Sequence, residues 1–198
     1  MSKKTTTAIA TLALGLLALA PTAQADAPVS VTGGNTLQVV GDDEDNSIHW
    51  SVETDPACPG GSPCYAVWAG GTVLVPTAPC VVNDLMPGTG YYRTLCPTSD
   101  VTRLLVTGQG GHDQFYGDIG LPGDIRGGAG KDAIAGGSEN DTLIGGTDND
   151  KLIAGPGNDL LKGQGGNDGM DGRAGKDRCI GGGGRDTPRN CERVKSVP

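Results

Sequence analysis

From Gly127 to Arg189 the chain reads GGAGKDAIA (127–135), GGSENDTLI (136–144), GGTDNDKLI (145–153), AGPGNDLLK (154–162), GQGGNDGMD (163–171), GRAGKDRCI (172–180) and GGGGRDTPR (181–189). The sixth place of each nonapeptide holds an aspartate: Asp132, Asp141, Asp150, Asp159, Asp168, Asp177 and Asp186. Two places later comes an apolar residue in six of the seven: Ile134, Leu143, Leu152, Leu161, Met170 and Cys179. A similar unit, GQGGHDQFY (108–116), sets Asp113 and Phe115 upstream. A fixed period of this kind marks a stacked repeat fold. A flexible Gly/Asp linker would share the composition, but it has no reason to hold an aspartate and an apolar residue in phase.

Within each unit the glycine-rich half predicts a turn, because positive φ and close backbone approach favour glycine. The last three residues predict a short strand whose eighth position points inward. One apolar residue per repeat is a thin core, so successive strands must stack in parallel and cover one another. Two nonapeptides then form one coil, and consecutive turns alternate between two edges. Turns beginning at Gly127, Gly145, Gly163 and Gly181 should line one edge; those at Gly136, Ala154 and Gly172 should line the other. Stacking brings aspartates within one strand spacing, about 4.8 Å, or a small multiple of it. Such a column repels itself unless cations sit between the loops. Calcium suits it best, taking six to eight oxygens and tolerating irregular geometry, whereas magnesium demands a stricter octahedron. Zinc would lack its preferred nitrogen and sulfur ligands.

These motifs make residues 108–189 resemble the RTX, or haemolysin-type, calcium-binding repeat, whose fold is a right-handed parallel β-roll. More loosely, the whole chain is similar to small secreted actinobacterial calcium-binding proteins of this type. The resemblance implies that Asp113, Asp132, Asp141, Asp150, Asp159, Asp168, Asp177 and Asp186 donate side-chain oxygens. It also implies carbonyl ligands around Gly127, Gly128, Gly130, Gly136, Gly145, Gly146, Gly155, Gly157, Gly163, Gly165, Gly172 and Gly181. Counting gaps between loops gives an expectation of about five to seven Ca2+ ions. Several turns depart from the pattern: Glu139 and Asp148 replace fourth-place glycines, Gln164 and Arg173 second-place ones, and Ala154 a leading one. Arg173, beside the column, puts the Asp177 site in question.

Working outward, residues 118–126 keep Ile125 at the apolar place, but Gly123 replaces the aspartate and an extra residue enters near Gly117. This coil should bulge and bind poorly. Residues 41–49, GDDEDNSIH, fit the frame with Asn46 at the aspartate place and Ile48 at the apolar one; an acidic turn between two strands explains them as well. Short β-branched segments at 36–40, 48–52, 65–68, 72–75 and 101–106, bounded by Gly, Pro or Asp, predict strands. The expected class is therefore all-β.

At the amino end, Lys3 and Lys4 precede an apolar run over 8–20 and an Ala23-Gln24-Ala25 site, the three parts of a signal peptide. The run is shorter than the ~20 residues of a membrane span. The expected division is a signal peptide over 1–25, a Cys-containing β region over 26–107, the repeats over 108–189 and a cap over 190–198. The six cysteines of an exported chain read as three disulfides. Neighbouring pairs 58–64, 80–96 and 179–191 are favoured along an elongated fold. The formal charge is -8, and -8 - 2 = -10 once Lys3 and Lys4 are removed. That balance argues against nucleic acid and anionic membranes.

A stacked fold needs capped ends. Pro188, at the last apolar place, should stop the roll, with a Cys179–Cys191 bridge pinning 190–194 over it. No G-x-S-x-G, H-E-x-x-H or G-x-x-x-x-G-K-[ST] motif occurs. The sequence predicts a secreted, non-enzymatic calcium-binding protein. Its rival is an adhesion or cell-surface scaffold using the roll as a spacer and the Trp50/Trp68 region as contact surface. A carbohydrate-active enzyme is a more distant alternative.

Overall fold

The computed structural model describes residues 28–32, 35–54, 56–58, 63–70, 75–76, 80–85, 91–99 and 101–195. The expected signal peptide and its cleavage after Ala25 lie outside them, as does most of the strand expected over 72–75. Every regular element among the described residues is a strand. Nine build one sheet: β1 (Pro28–Thr32), β2 (Thr36–Val40), β5 (Val75–Pro76), β8 (Arg103–Gln109), β10 (Gly123–Ala129), β12 (Thr142–Thr147), β14 (Leu160–Gly165), β16 (Arg178–Gly183) and β18 (Arg193–Lys195). Nine build the other: β3 (Ser47–Glu53), β4 (Cys64–Gly70), β6 (Val81–Leu85), β7 (Tyr91–Pro97), β9 (Gln114–Gly117), β11 (Ala133–Ala135), β13 (Lys151–Pro156), β15 (Gly169–Ala174) and β17 (Thr187–Arg189).

From β8 onward the chain alternates between the sheets, and each strand pairs in parallel with the one a full coil away. The protein is a parallel β-solenoid. Leu143 stands opposite Leu161 and Leu161 opposite Cys179. On the facing sheet Phe115, Ile134, Leu152 and Met170 align likewise. These side chains are all but inaccessible to solvent and form one continuous core. Strands extend further into the glycine turns than the three residues expected, as in β12, which carries Gly145 and Gly146 to Thr147.

The irregular coil lies where the sequence placed it. Val106 pairs with Ile125 and Phe115 with Ile134, a step of one more residue than the Ile125–Leu143 step. The extra residue therefore falls between 115 and 125. The solenoid also reaches into the amino-terminal region. β2 pairs in parallel with β8, and β3 with β9, which sets Ile48 against Phe115. Residues 41–49 are thus a true coil of the stack. Beyond that coil the pairing turns mainly antiparallel: β4, β7 and β6 extend one sheet as a meander, and β1 extends the other, with the two-residue β5 added outside it in parallel.

The tryptophans do not form an exposed patch. Trp50 is 3% exposed and belongs to the main core. Trp68 packs on a small outer cluster of Cys58, Cys64, Ala66 and Leu95. The disulfides join Cys58–Cys64, Cys80–Cys96 and Cys179–Cys191. At the carboxyl end one expectation needs correcting. Pro188 lies in β17, the last strand of its sheet, but the other sheet continues for one more rung, because β18 pairs in parallel with β16. The tail is a strand rather than a plug, and Val194 at its apolar place is left 54% exposed.

Candidate metal centres along the two turn edges

The alternation of coils sorts the aspartates into two columns. One runs Asn46, Asp113, Asp132, Asp150, Asp168, Asp186; the other runs Gly123, Asp141, Asp159, Asp177, Glu192. The linkage within a column is the same at every step. The backbone N–H of Asp132 donates to Oδ1 of Asp150 (2.9 Å), and that of Asp150 donates to Oδ1 of Asp168 (2.9 Å). In the second column Asp141 donates to Asp159 at 2.8 Å and Asp159 to Asp177 at 2.9 Å. Each aspartate thus closes the turn of the coil before it. That role demands a short carboxylate at a fixed period and explains the strict spacing.

The second oxygen has no such partner. Oδ2 of Asp113, Asp132, Asp150, Asp159, Asp168, Asp177 and Asp186 is buried with no hydrogen bond. All but Asp186 belong to residues that are buried as a whole. A buried polar atom left unpaired is costly, and a charged one more so. The surroundings raise the pKa of several of the column aspartates. Burial, with the charges of Asp132, Asp168 and Asp148 adding to it, lifts Asp150 from 3.8 to about 7. Burial lifts Asp113 and Asp159 to about 6. Asp132, Asp141 and Asp168 are raised by the same cause.

The glycines make the cradle. A methyl group on Gly127, Gly145, Gly163 or Gly181 would overlap Oδ2 of Asp132, Asp150, Asp168 or Asp186 respectively. The carbonyl oxygens of Gly145 and Gly181, one coil on, face Gly127 and Gly163. At the second and fourth places the carbonyl of the preceding coil lies directly beneath: Gly128 under Gly146, Gln164 under Gly182, Gly166 under Gly184. Apart from the gap at Asp141, each gap between coils therefore holds an unpartnered carboxylate oxygen among backbone carbonyls, an all-oxygen set. Among the described residues no three His, Cys, Asp or Glu side chains converge on one point. A cation here would be held by one or two carboxylates and by main-chain oxygens. That donor set fits a hard, flexible cation such as calcium.

The departures from the pattern resolve individually. Gln164 and Arg173 adopt φ of 82° and 73°, the conformation glycine has elsewhere at the second place. Arg173 turns its guanidinium to Asp171 at 3.1 Å, and Oδ2 of Asp177 stays unpartnered. Ala154 puts a methyl where other turns have none, yet Oδ2 of Asp159 is still buried and unpaired. The distinct member is Asp141: its Oδ2 accepts from Gly137 N–H at 2.7 Å and its Oδ1 from Gly123 N–H at 2.7 Å. In that turn Gly137 and Glu139 lack the positive φ of their counterparts. The bulged coil beside it gives Asp141 a different neighbour, and both its oxygens are already engaged.

Two positions at the ends of the columns lie outside the aspartate count. Asn46 ends one column with an uncharged amide, whose Nδ2 donates to Oδ1 of Asp113 at 3.1 Å. Glu192 ends the other, accepting from Asp177 N–H through Oε2. Asn46 was visible as a weak frame match; Glu192 sits out of period, and only the disulfide at Cys191 hints at it.

Residues 126–161 and 153–188 match the family model of the RTX calcium-binding nonapeptide repeat, which spans 4 copies. This segment carries RTX repeats, and RTX repeats bind Ca2+. No curated protein and no solved structure matches the chain.

Proposed function

We propose that this is an exported, non-enzymatic calcium-binding protein whose roll condenses around Ca2+ outside the cell. The observation that carries the reading is the buried, unpartnered Oδ2 repeated along both turn edges. Asp132, Asp150, Asp168 and Asp186 would hold ions on one edge, and Asp159 and Asp177 on the other, each with carbonyls of adjacent turns. Asp113 would add a site at the amino end of its column. Asp141 would be the weakest of the eight, because its oxygens already serve Gly123 and Gly137. Bound calcium supplies positive charge that offsets the repulsion between successive carboxylates.

The chain's own residues do the rest. Oδ1 of each aspartate locks the preceding turn, the glycines keep the cradle open, and the apolar eighth residues align the coils. Residues 26–107 would supply the first, degenerate coil of the solenoid together with its amino-terminal cap, 108–189 the calcium-responsive repeats and 190–198 the closing carboxyl segment. Three disulfides and calcium-binding repeats are consistent with an extracellular protein. Where cytosolic calcium is scarce, the carboxylates would keep the repeats loose; extracellular sites commonly bind at about 10⁻⁴–10⁻³ M.

The test is a calcium titration of protein collected from the medium, started in EDTA and followed by far-UV circular dichroism. A cooperative gain of β signal that magnesium does not reproduce is expected, together with Asp26 as the first residue on amino-terminal sequencing. Full β signal already present in EDTA would end the calcium-driven reading. A mature chain starting at Met1 would end the export reading.

A further inference from the structure

The calcium edges leave the flat outer face of the β3–β17 sheet without a role. At its amino-terminal end that face carries a ladder of planar side chains. The Arg93 guanidinium lies 5.3 Å from the Trp68 ring, Trp68 stacks on His49 (5.4 Å, 8° between planes), and His49 stacks on Tyr116 (5.3 Å, 12°). Arg93, held by Glu53 at 3.0 Å, closes one end. The other end is open. On the rung after Tyr116 the matching position holds only Ala135, and the next holds Ile153. Two strand spacings, about 10 Å, thus separate the Tyr116 ring from Ile153, and the space between them is one ring wide. Tyr116 is 45% exposed there, beside a hollow of about 140 Å³.

The hollow continues along the stack. Lys151 and Ile153 also border a second one, of about 230 Å³, over Gly169, with Asp171, Arg173 and Arg189 around it. Asp171 is already satisfied by Arg173 at 3.1 Å and Asn190 at 2.7 Å. Lys151 and Arg189 are exposed and have no ion-pair partner among the described residues. On a chain of formal charge -8, this groove is locally cationic.

We propose that the groove binds an acidic polysaccharide, with one sugar ring stacked on Tyr116 above Ala135 and carboxylates paired with Lys151 and Arg189. An aromatic plane with a few placed polar groups is the make-up of a small-molecule or glycan site. The strands beneath Tyr116, Ala135, Lys151 and Asp171 are paired on both sides, so no backbone there is free for a peptide to add as a strand; only β17, under Arg189, is an edge. Lys151 and Arg189 stand two rungs apart and two residues apart along the strand, roughly 12 Å between their backbones by strand geometry. That spacing suits a polymer charged on some of its units better than one with a phosphate at every step. The inference requires the folded roll, not any particular number of ions.

The test uses the full, calcium-saturated protein and calorimetric titration with three probes: a hyaluronan decasaccharide, an uncharged chitin oligosaccharide of equal length, and oligothymidylate. Hyaluronan should bind, and each other probe should bind at least about tenfold more weakly. Ala135→Phe fills the open rung without disturbing the ladder. It should weaken hyaluronan about tenfold or more, the scale of losing one ring contact in a preformed slot, while the circular dichroism and calcium midpoint stay unchanged. Lys151→Gln should narrow the gap between hyaluronan and the uncharged probe. No binding of hyaluronan, equal binding by Ala135→Phe, or preference for either other probe overturns the proposal. Failure of the calcium reading would show separately, as β signal indifferent to EDTA.

Discussion

A single aspartate in this fold has two opposed duties, divided between its two oxygens. Oδ1 of Asp150 accepts from Asp132 N–H, which any acceptor of the same shape could do. Oδ2 is buried and unpaired, and there the negative charge is an asset only if a cation is present. Asp150→Asn keeps the acceptor and removes the charge. In EDTA near pH 8 this variant should melt higher than the parent, and in saturating calcium lower; thermal melts in both buffers check the reversal of sign. The same shift in both buffers would show that Asp150 works through its hydrogen bond alone. Position within the column matters too. Asp150 has charged neighbours on both sides, Asp132 and Asp168, whereas Asp113 has Asp132 on one side and the Asn46 amide on the other. Asp150→Ala should therefore raise the calcium midpoint more than Asp113→Ala, and equal midpoints would count against coupled columns.

At the scale of the turn and the strand, the leading glycine matters for space more than for φ. Gly145 has no positive φ, but a methyl there would overlap Asp150 Oδ2. Gly145→Ala should weaken calcium binding while leaving the parallel register intact, measurable as a raised calcium midpoint with an unchanged end-point spectrum. An unchanged midpoint would place the ion away from this cradle. The last strand makes a different prediction. Cys191 ties β18 to Cys179, and Glu192 next to it caps Asp177 N–H. Replacing both cysteines by alanine should destabilise the calcium-saturated roll by about 2–4 kcal/mol, as loss of a loop-closing disulfide does. Urea unfolding gives the number, and amide exchange should quicken first in 177–195. Elements of this kind were unevenly legible. The roll strands followed from the phase of Asp and apolar residues, and the bulge from one extra residue near Gly117. β18 was missed, because a three-residue strand with Val194 exposed carries no period-two pattern of its own.

Over the whole molecule, what the sequence could reveal is what is periodic. The two columns, the two sheets and the alternate edges come from counting to nine and eighteen. The antiparallel meander of β4, β7 and β6 comes from long-range pairing that no local spacing encodes. The ladder Trp68–His49–Tyr116 unites residues from three strands, and only the register brings them together. Asp141 looked equal to its neighbours because its own repeat is regular; its difference lies in the bulged coil stacked on it. One property belongs to the columns as wholes, namely their response to pH. Burial raises Asp150 to about 7 and Asp113 and Asp159 to about 6, while the unfolded chain titrates near 3.8. Between about 4 and about 7 the calcium-free fold holds protons that the unfolded chain has released, so its stability falls as pH rises through that window. Above it no further loss from these groups is expected. Calcium acts in the opposite sense: it must displace those protons, so its apparent affinity should climb with pH and level off above about 7. In EDTA the roll should therefore be more ordered at pH 5 than at pH 8, and the calcium midpoint should be higher at pH 5. Circular dichroism at the two pH values reads both quantities, and greater order at pH 8 without calcium would mean that the buried carboxylates are relieved by something other than protons or metal.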